Sequence, residues 1–561
     1  MTTAHPPALP RPGSDATPGP LDDRLYDLVE DRFRRLVRAD PILATGLGLH
    51  ERDHELGDPS RAALLDEIAA DRAHLGAVEA LDPAALSPSA RFERDLEIHN
   101  LRLSGYEAAE VRIWERRSFA LDTVGTGLFL LFARDHAPLA ERLAAIAGRL
   151  EGIPAYLEAS KDRADGPQVR LWQGLEIEAA GELPSLFDEL LTAAASALVS
   201  RPNDAVWLRQ WNPRRRPWSP TPSWLRGTLA ERYGRLADRP GAARRARRPT
   251  RAFDGLDADD ILALGWQQLA EEHAARTAAA REIDPDASEA EVIDRVKSDH
   301  PASFAGALDA YRDAMLRARS HLIERDLVSI PSDERIDVVE TPQYLRNVMP
   351  FAAYFSPAAF DARAKGIYVV TPSVGDDPDA MREHNLASIS NTSVHEAYPG
   401  HHLQLDVARR HPSLSRLLTD APEFVEGWGM YSELMMREHG FDDDPHFRLM
   451  LHTDAIWRAC RIILDVRLHR GEISVEAGTD FLVEHTNFER PNARSEVQWY
   501  TYRPTYPMSY LLGRTMLLRL RADEQSRLGT DFRLKSFHDT LLRNGSLPIS
   551  FHRRLLAGEG R

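Results

Sequence analysis

The chain has 561 residues, of which 43% are hydrophobic, and it carries a net charge of −16. This length exceeds one ordinary domain of about 150 residues, and the acidic balance argues against a general binder of nucleic acids or anionic membranes. The single cysteine, Cys460, excludes an internal disulfide and a cysteine-rich metal site, which fits a cytoplasmic protein.

The first 21 residues are rich in Pro, Gly and Ala. They have neither a basic start nor an apolar centre, so they do not resemble a signal peptide, and we predict a disordered tail at 1–21. No window of about 18 consecutive apolar residues occurs, so the sequence predicts no transmembrane helix.

Helical periodicity dominates residues 22–330. In LDDRLYDLVEDRFRRLVRADPILATGLGL, apolar residues recur at spacings of three and four, which indicates amphipathic helices. ADDILALGWQQLAEEHAARTAAAREI adds a long helix with an acidic start. We therefore predict a mainly α fold with an N-terminal helical region at 22–330 and a C-terminal catalytic region at 331–561.

An Arg-, Pro- and Trp-rich segment interrupts the helical pattern at 200–254. It favours an irregular excursion or exposed loop, and a basic lid or partner site is the alternative.

The β signal lies in IDVVETP and KGIYVVTP, whose β-branched runs stop at Pro342 and Pro372. They predict a small sheet near the active site, such as a hairpin with a long connection. KGIYVVTP could form an edge that pairs with an extended peptide, or an edge with a purely structural role.

The stretch NTSVHEAYPGHHLQL departs from the zinc-protease pattern H-E-x-x-H, because Pro399 stands four residues after His395. In a straight helix the spacing of six to His401 turns the side chain by about 600°, roughly 120° off the shared face. His402 returns to that face but lies about 10.5 Å further along the axis. Pro399 and Gly400 favour a break, and a break that absorbs two residues would let His401 act as the second ligand.

An acidic third ligand is available in EFVEGWGMYSELMMREHG, where Glu426 leads a face that continues at Met430 and Glu433. Two imidazoles and one carboxylate bind zinc and leave a fourth position open, so we expect one Zn²⁺ ion. Glu396 would then be the general base. The alternative is that both histidines are ordinary core or surface residues of an amphipathic helix.

HEAYPGHHLQ together with EGWGMYSE resembles the bacterial family called domain of unknown function 885. That family is regarded as related to the helical zinc peptidases that include thimet oligopeptidase, angiotensin-converting enzyme and the thermostable carboxypeptidases. The resemblance implies a zincin-like architecture, with His395, His401 and Glu426 as ligands and Glu396 as base. It leaves His402 as a ligand, a transition-state donor or a neighbour.

Two further segments resemble parts of such peptidases. In HTDAIWRACRIILDVRLHRGEIS, Arg461, Asp465 and His469 share a helix face, so they either support the ligands or form a surface charge ladder. In SEVQWYTYRPTYPMSYLLGR, the resemblance implies Tyr510 as the oxyanion donor, and the candidate substrate-binding residues are Arg503, Tyr506 and His402. Aromatic core packing is the alternative for the tyrosines.

The sequence thus predicts a cytoplasmic zinc metallohydrolase, a peptidase that cleaves small peptides or peptide-like amides. One alternative is a hydrolase of a non-peptide amide or ester with the same site. The other is a zincin-like scaffold that binds a peptide or partner without catalysis. No nucleic-acid or membrane partner is expected, and substrate length, physiological metal and oligomeric state stay open.

Overall fold

The computed structural model describes residues 9, 18–163, 169–177, 253, 255–342, 346, 351–361, 363–372, 378–486 and 488–560. Most of the predicted tail at 1–21 lies outside these residues. The Arg-, Pro- and Trp-rich segment at 200–254 also lies outside them, apart from Phe253.

The predicted mainly α fold is confirmed. The α-helices of the described residues, numbered in chain order, are α1 (Asp22–Ala39), α2 (Pro41–Leu47), α3 (Arg61–Glu79), α4 (Pro88–Tyr106), α5 (Ala120–Ala133), α6 (Leu139–Ser160), α7 (Ala258–Ile283), α8 (Glu289–Ser298), α9 (Phe304–Arg325), α10 (Leu386–Glu396), α11 (His401–Ala408), α12 (Leu414–Leu417), α13 (Pro422–Glu438), α14 (Pro445–Arg470), α15 (Val475–Thr486), α16 (Arg490–Tyr500), α17 (Ser509–Leu528), α18 (Leu534–Arg543) and α19 (Ile549–Leu556). None of these helices is long and apolar enough to cross a bilayer.

Local chemistry sets several helix boundaries. Between α1 and α2 the Asp40 side chain accepts hydrogen bonds from the backbone N–H groups of Ile42 and Leu43, so it caps the second helix. Pro41 follows at the first helical position, where its missing N–H costs nothing. The amphipathic stretch at the start of the chain therefore folds as two helices.

A three-stranded sheet lies between the N-terminal helices and the candidate site. It consists of β1 (Ile336–Glu340), β2 (Ala352–Phe355) and β3 (Gly366–Val370), in the order β1-β3-β2. β1 pairs with β3 in parallel, from Ile336–Gly366 to Glu340–Val370, whereas β2 pairs with β3 antiparallel.

Two predictions about this sheet are wrong. IDVVETP and KGIYVVTP do not form a hairpin, because the connection between them contains β2 and returns the chain in the parallel direction. KGIYVVTP is not an edge, because its strand β3 is central and all five of its residues are buried. The edges are β1 and β2.

β3 joins two hydrophobic cores, because successive side chains of a strand point to opposite faces. Tyr368 and Val370 belong to the largest core, which α7, α9, α10, α13, α14 and α17 also build. Ile367 and Val369 belong to a second core with α2, α5 and α6. The largest core takes residues from both sides of the predicted boundary near residue 330, and the division into two regions stays a prediction.

Candidate metal centre

The break between α10 and α11 has the form of a two-residue insertion. The N–H of Gly400 donates to the carbonyl of Val394 and that of Leu403 to the carbonyl of Ala397, so both bonds span six residues where a regular helix spans four. The Tyr398–Pro399 peptide bond is cis. A Cβ at Gly400 would lie 1.8 Å from the carbonyl oxygen of His395, so only glycine fits this approach.

The neighbouring helix α13 fixes the break and His395. The indole N–H of Trp428 donates to the carbonyl of Pro399 over 2.8 Å. One residue later, a Cβ at Gly429 would lie 2.6 to 2.8 Å from atoms of the His395 ring. The missing side chain therefore makes room for the imidazole on the surface of α13.

Two carboxylates of α13 face the two nitrogens of His395. Nδ1 donates to Oε1 of Glu433 over 2.6 Å, and Nε2 lies 3.7 Å from Oε2 of Glu426. Seven residues separate these glutamates, which is two helical turns, so both project from the face that carries Gly429. The hydrogen bond to Glu433 places a proton on Nδ1 and leaves Nε2 directed at Glu426.

His401 completes the cluster. Its Nε2 lies 3.4 Å from the same Oε2 of Glu426, and its ring stands perpendicular to that of His395 at a centroid distance of 4.7 Å. The candidate ligand atoms of His395, His401 and Glu426 all lie within 4.8 Å of one another. Two ligands bound at 2.0–2.1 Å to a tetrahedral zinc ion are about 3.4 Å apart, so the observed spacings fit such an ion.

The hydrogen bonding of the cluster also fits a cation. Oε2 of Glu426 is buried and accepts no hydrogen bond from the described residues, and Glu426 as a whole is only 6% exposed. A buried carboxylate oxygen without a donor is costly, and a metal ion between it and the two imidazoles would satisfy it.

The electrostatics of the cluster favour positive charge. Burial alone would lower the pKa of His395, but Glu426 and Glu433 raise it to about 10. Burial alone would raise the pKa of Glu426, yet the imidazoles of His401 and His395 hold it well below its usual range. The carboxylates therefore stabilise a proton or another cation at this point.

Glu396 follows His395 at the end of α10, and its side chain stays partly open to solvent. Burial raises its pKa, against the opposing charges of His401 and His395. A raised carboxyl pKa is the property that a general base or acid near neutral pH requires.

Tyr506 contacts Glu426 directly, and Asp465 supports the turn that carries Tyr506. The hydroxyl of Tyr506 donates to Oε1 of Glu426 over 2.6 Å. Asp465 on α14 accepts the backbone N–H groups of Thr505 and Met508, and so holds the turn that carries Tyr506. His469 lies 3.4 Å from Asp465 and contacts the backbone carbonyl of Tyr500, so it acts on the same turn.

Tyr510 lies beside the cluster. Its ring stacks on that of His395 with a centroid distance of 6.3 Å and an interplanar angle of 14°. The guanidinium of Arg461 lies 4.6 Å from the Tyr510 ring centroid and is bound to Glu496. Burial raises the pKa of Tyr510, so its hydroxyl keeps the proton and remains a donor.

His402 and Arg503 lie apart from the cluster. His402 is fully buried, with Nε2 donating to Glu334 over 2.9 Å and Nδ1 lying 2.8 Å from the hydroxyl of Tyr354. Both ring nitrogens are thus engaged by residues outside the cluster. Arg503 is exposed, and its guanidinium lies 5.6 Å from the ring of Phe119. Substrate binding by His402 or Arg503 stays a prediction.

Sequence reasoning missed several polar residues around the cluster. Asn391 donates to Glu433 over 3.0 Å and to Asp454 over 2.6 Å, which anchors the carboxylate behind His395. Asp454 and Arg458 extend the α14 face of Arg461 towards the N-terminus at helical spacing. Asp454 and Arg458 could have been identified from the sequence by this spacing, in steps of three and then four residues back from Arg461.

Fold and site together define a mainly α-helical protein in which two imidazoles and one carboxylate from three helices meet at a buried point. The family model for bacterial proteins of unknown function (DUF885) matches residues 41–556, so the chain belongs to the DUF885 family. No curated protein sequence matches the chain.

Two solved structures share the fold. A candidate lipoprotein of unknown function from Shewanella oneidensis is 21% identical, with a TM-score of 0.73 over 95% of this chain and 99% of its own. A candidate lipoprotein from Colwellia psychrerythraea is 18% identical, with a TM-score of 0.81 over 96% of this chain and 98% of its own. At these identities the likeness extends to the fold alone, and the cytoplasmic location of this chain stays a prediction.

Proposed function

We propose that the protein is a metal-dependent hydrolase, and specifically a zinc peptidase that cleaves small peptides or peptide-like amides. The observation that carries the proposal is the buried Oε2 of Glu426, which accepts no hydrogen bond from the described residues and lies 3.4 and 3.7 Å from the Nε2 atoms of His401 and His395. These three residues would hold the ion, in line with the resemblance to the helical zinc peptidases. When bound, zinc would polarise a carbonyl group and lower the pKa of a water molecule.

The chain supplies the remaining chemistry. Glu396 would accept a proton from the attacking water and deliver it to the leaving nitrogen, because it adjoins His395 and has a raised pKa. Tyr510 would donate a hydrogen bond to the oxygen on which negative charge develops. Glu433 would keep the ring of His395 in its orientation through the 2.6 Å hydrogen bond.

The test combines metal analysis with a Glu396→Gln variant. We expect about one equivalent of zinc in gently purified protein, and hydrolysis of dipeptides or acylated peptides that chelation abolishes. Glu396→Gln should keep the metal and lose about 10²- to 10⁴-fold in kcat. Glu438→Gln, on the exposed end of α13, is the matched control and should keep both.

Other results would favour the alternatives. Cleavage of esters or non-peptide amides alone would retain the site but change the substrate class. A zinc content below about half an equivalent, with no hydrolysis after zinc addition, would favour a binding scaffold without catalysis. Full activity in a metal-loaded Glu396→Gln variant would refute the assigned base.

A further inference from the structure

The guanidinium of Arg458, which is largely but not fully buried near the cluster, donates no hydrogen bond within the described part of the chain. The side chain of Arg458 on α14 is only 14% exposed, and its Nε and Nη1 atoms are buried without an acceptor among the described residues. Asp454 does not fill this role, because its Oδ1 lies 3.6 Å from Nη1 and its Oδ2 accepts from Asn391. The guanidinium therefore has donors that the described residues leave unused.

Arg149, which is fully buried, is bound differently. Arg149 donates to the carbonyls of Glu55, Gly127 and Pro41 and to the hydroxyl of Thr45. Each of these acceptors helps to offset the cost of removing the guanidinium from water, which is the pattern of a structural arginine. Arg458 lacks that pattern within the described residues, which leaves its donors available to a bound group.

The position of Arg458 connects it to the candidate catalytic groups. Its guanidinium lies 3.7 Å from the ring centroid of Trp457 and 6.0 Å from that of Tyr510, which in turn stacks on His395. Its positive charge also acts on Glu396, where it opposes the effect of burial. Arg458, Tyr510 and Glu396 are each only partly buried.

We propose that Arg458 binds a carboxylate of the substrate, so that the enzyme acts on peptides or peptide-like amides with a free carboxylate near the scissile bond. Stacking on Trp457 fixes the plane of the guanidinium, and a planar fork of N–H groups matches a carboxylate. Arg461, one turn later, is already held by Glu496 and Tyr500. This inference rests on the proposed hydrolase function and adds its substrate class.

Three substrates with the same scissile bond test the proposal: an N-acyl dipeptide as the free acid, its C-terminal amide, and a C-terminal amide with an aspartate side chain. The metal-loaded enzyme should cleave at least one carboxylate-bearing substrate about 100-fold more efficiently in kcat/KM than the neutral amide. Arg458→Met should remove this preference, so that its kcat/KM for the carboxylate-bearing substrate falls to within about threefold of its own value for the neutral amide. Arg458→Lys should keep part of it, and Arg448→Met on the surface of α14 should change neither value.

Each result has a defined meaning. Preference for the free acid assigns the carboxylate to the substrate's C-terminus, and preference for the aspartyl amide assigns it to a side chain. Equal cleavage of all three substrates, or an unchanged preference in a folded Arg458→Met variant, overturns the proposal while the hydrolase function stands.

If no substrate is cleaved, the peptidase function fails, and succinate binding then tests the role of Arg458. Succinate should bind the wild-type protein at least about tenfold more tightly than Arg458→Met at equal metal content, as measured by calorimetry. Equal or absent binding overturns the anion site.

Discussion

Nδ1 of His395 lies 2.6 Å from Oε1 of Glu433, and this hydrogen bond directs the other ring nitrogen towards Glu426. The same carboxylate accepts from Asn391, which also binds Asp454. The candidate ligand is therefore the inner end of a buried hydrogen-bonded chain that links α10, α13 and α14. Such a chain restricts the imidazole to the orientation that a metal ion requires.

Glu433→Gln should weaken metal binding without removing a ligand. An amide in place of the carboxylate supplies a weaker acceptor, so the basicity and the orientation of His395 both suffer. We expect the zinc dissociation constant to rise about 10- to 100-fold in competition with a chelator. Glu438→Gln on the same helix should leave it unchanged. Unaltered affinity in a folded Glu433→Gln protein would contradict the supporting role.

The adjacent histidines should respond differently to substitution. His401→Ala should reduce zinc to well below one equivalent, because the cluster loses the Nε2 atom that lies 3.4 Å from Glu426. His402→Gln should retain zinc and lower the free energy of unfolding by about 1–3 kcal/mol, because it disturbs the buried contacts with Glu334 and Tyr354. Metal loss in His402→Gln with retention in His401→Ala would reverse this assignment.

The sequence predicted the parts of the fold that depend on local patterns. Apolar spacing identified the helices, and the Pro399–Gly400 pair with a rotation argument indicated a two-residue break. The structure has that break and brings His401 and Glu426 to the same point as His395. The helices and the break depend on interactions between residues that are near in sequence. The meeting of Glu426 with the two histidines depends on the packing of three helices, and it was expected from the resemblance to helical zinc peptidases.

What the sequence did not predict depends on long-range packing. The strand β2 has an Ala-rich sequence with uniformly intermediate burial, so it shows no alternation, and its pairing with β3 is set by the sheet as a whole. Arg503 points outwards because Asp465 and Tyr506 fix the turn around it, which no local pattern records. Arg458 carries no motif, and its unused donors are visible only in three dimensions.

Tyr506 and Tyr510 should separate metal binding from catalysis. Tyr506→Phe removes the hydroxyl that donates to Glu426, so we expect about tenfold weaker zinc binding. Tyr510→Phe should leave zinc affinity unchanged, because its contact with His395 is ring stacking, and should lower kcat by about 10²-fold. Chelator competition and steady-state kinetics on the zinc-saturated proteins measure the two effects. If only Tyr510→Phe lost zinc, Tyr510 and not Tyr506 would support metal binding.

Acid stability should depend on His538, which lies in the largest core away from the candidate metal ligands. Its Nδ1–H donates to the carbonyl of Leu327 and its Nε2 accepts from the hydroxyl of Tyr431, both over 2.8 Å. Burial lowers its pKa to about 4, compared with about 6.5 in an unfolded chain. The unfolded state therefore binds one proton more between these values.

This difference in proton binding fixes the sign of the pH dependence. The contribution of His538 is fully present above about pH 6.5 and is lost as the pH falls towards about 4, to a total on the order of 3 kcal/mol. His538→Asn should be less stable at pH 7 and show a shallower fall in unfolding free energy over this range, measured by urea titration at several pH values. His446→Asn, at an exposed position, should keep the wild-type slope. If His538→Asn keeps the wild-type slope, this histidine does not control the loss of unfolding free energy at low pH.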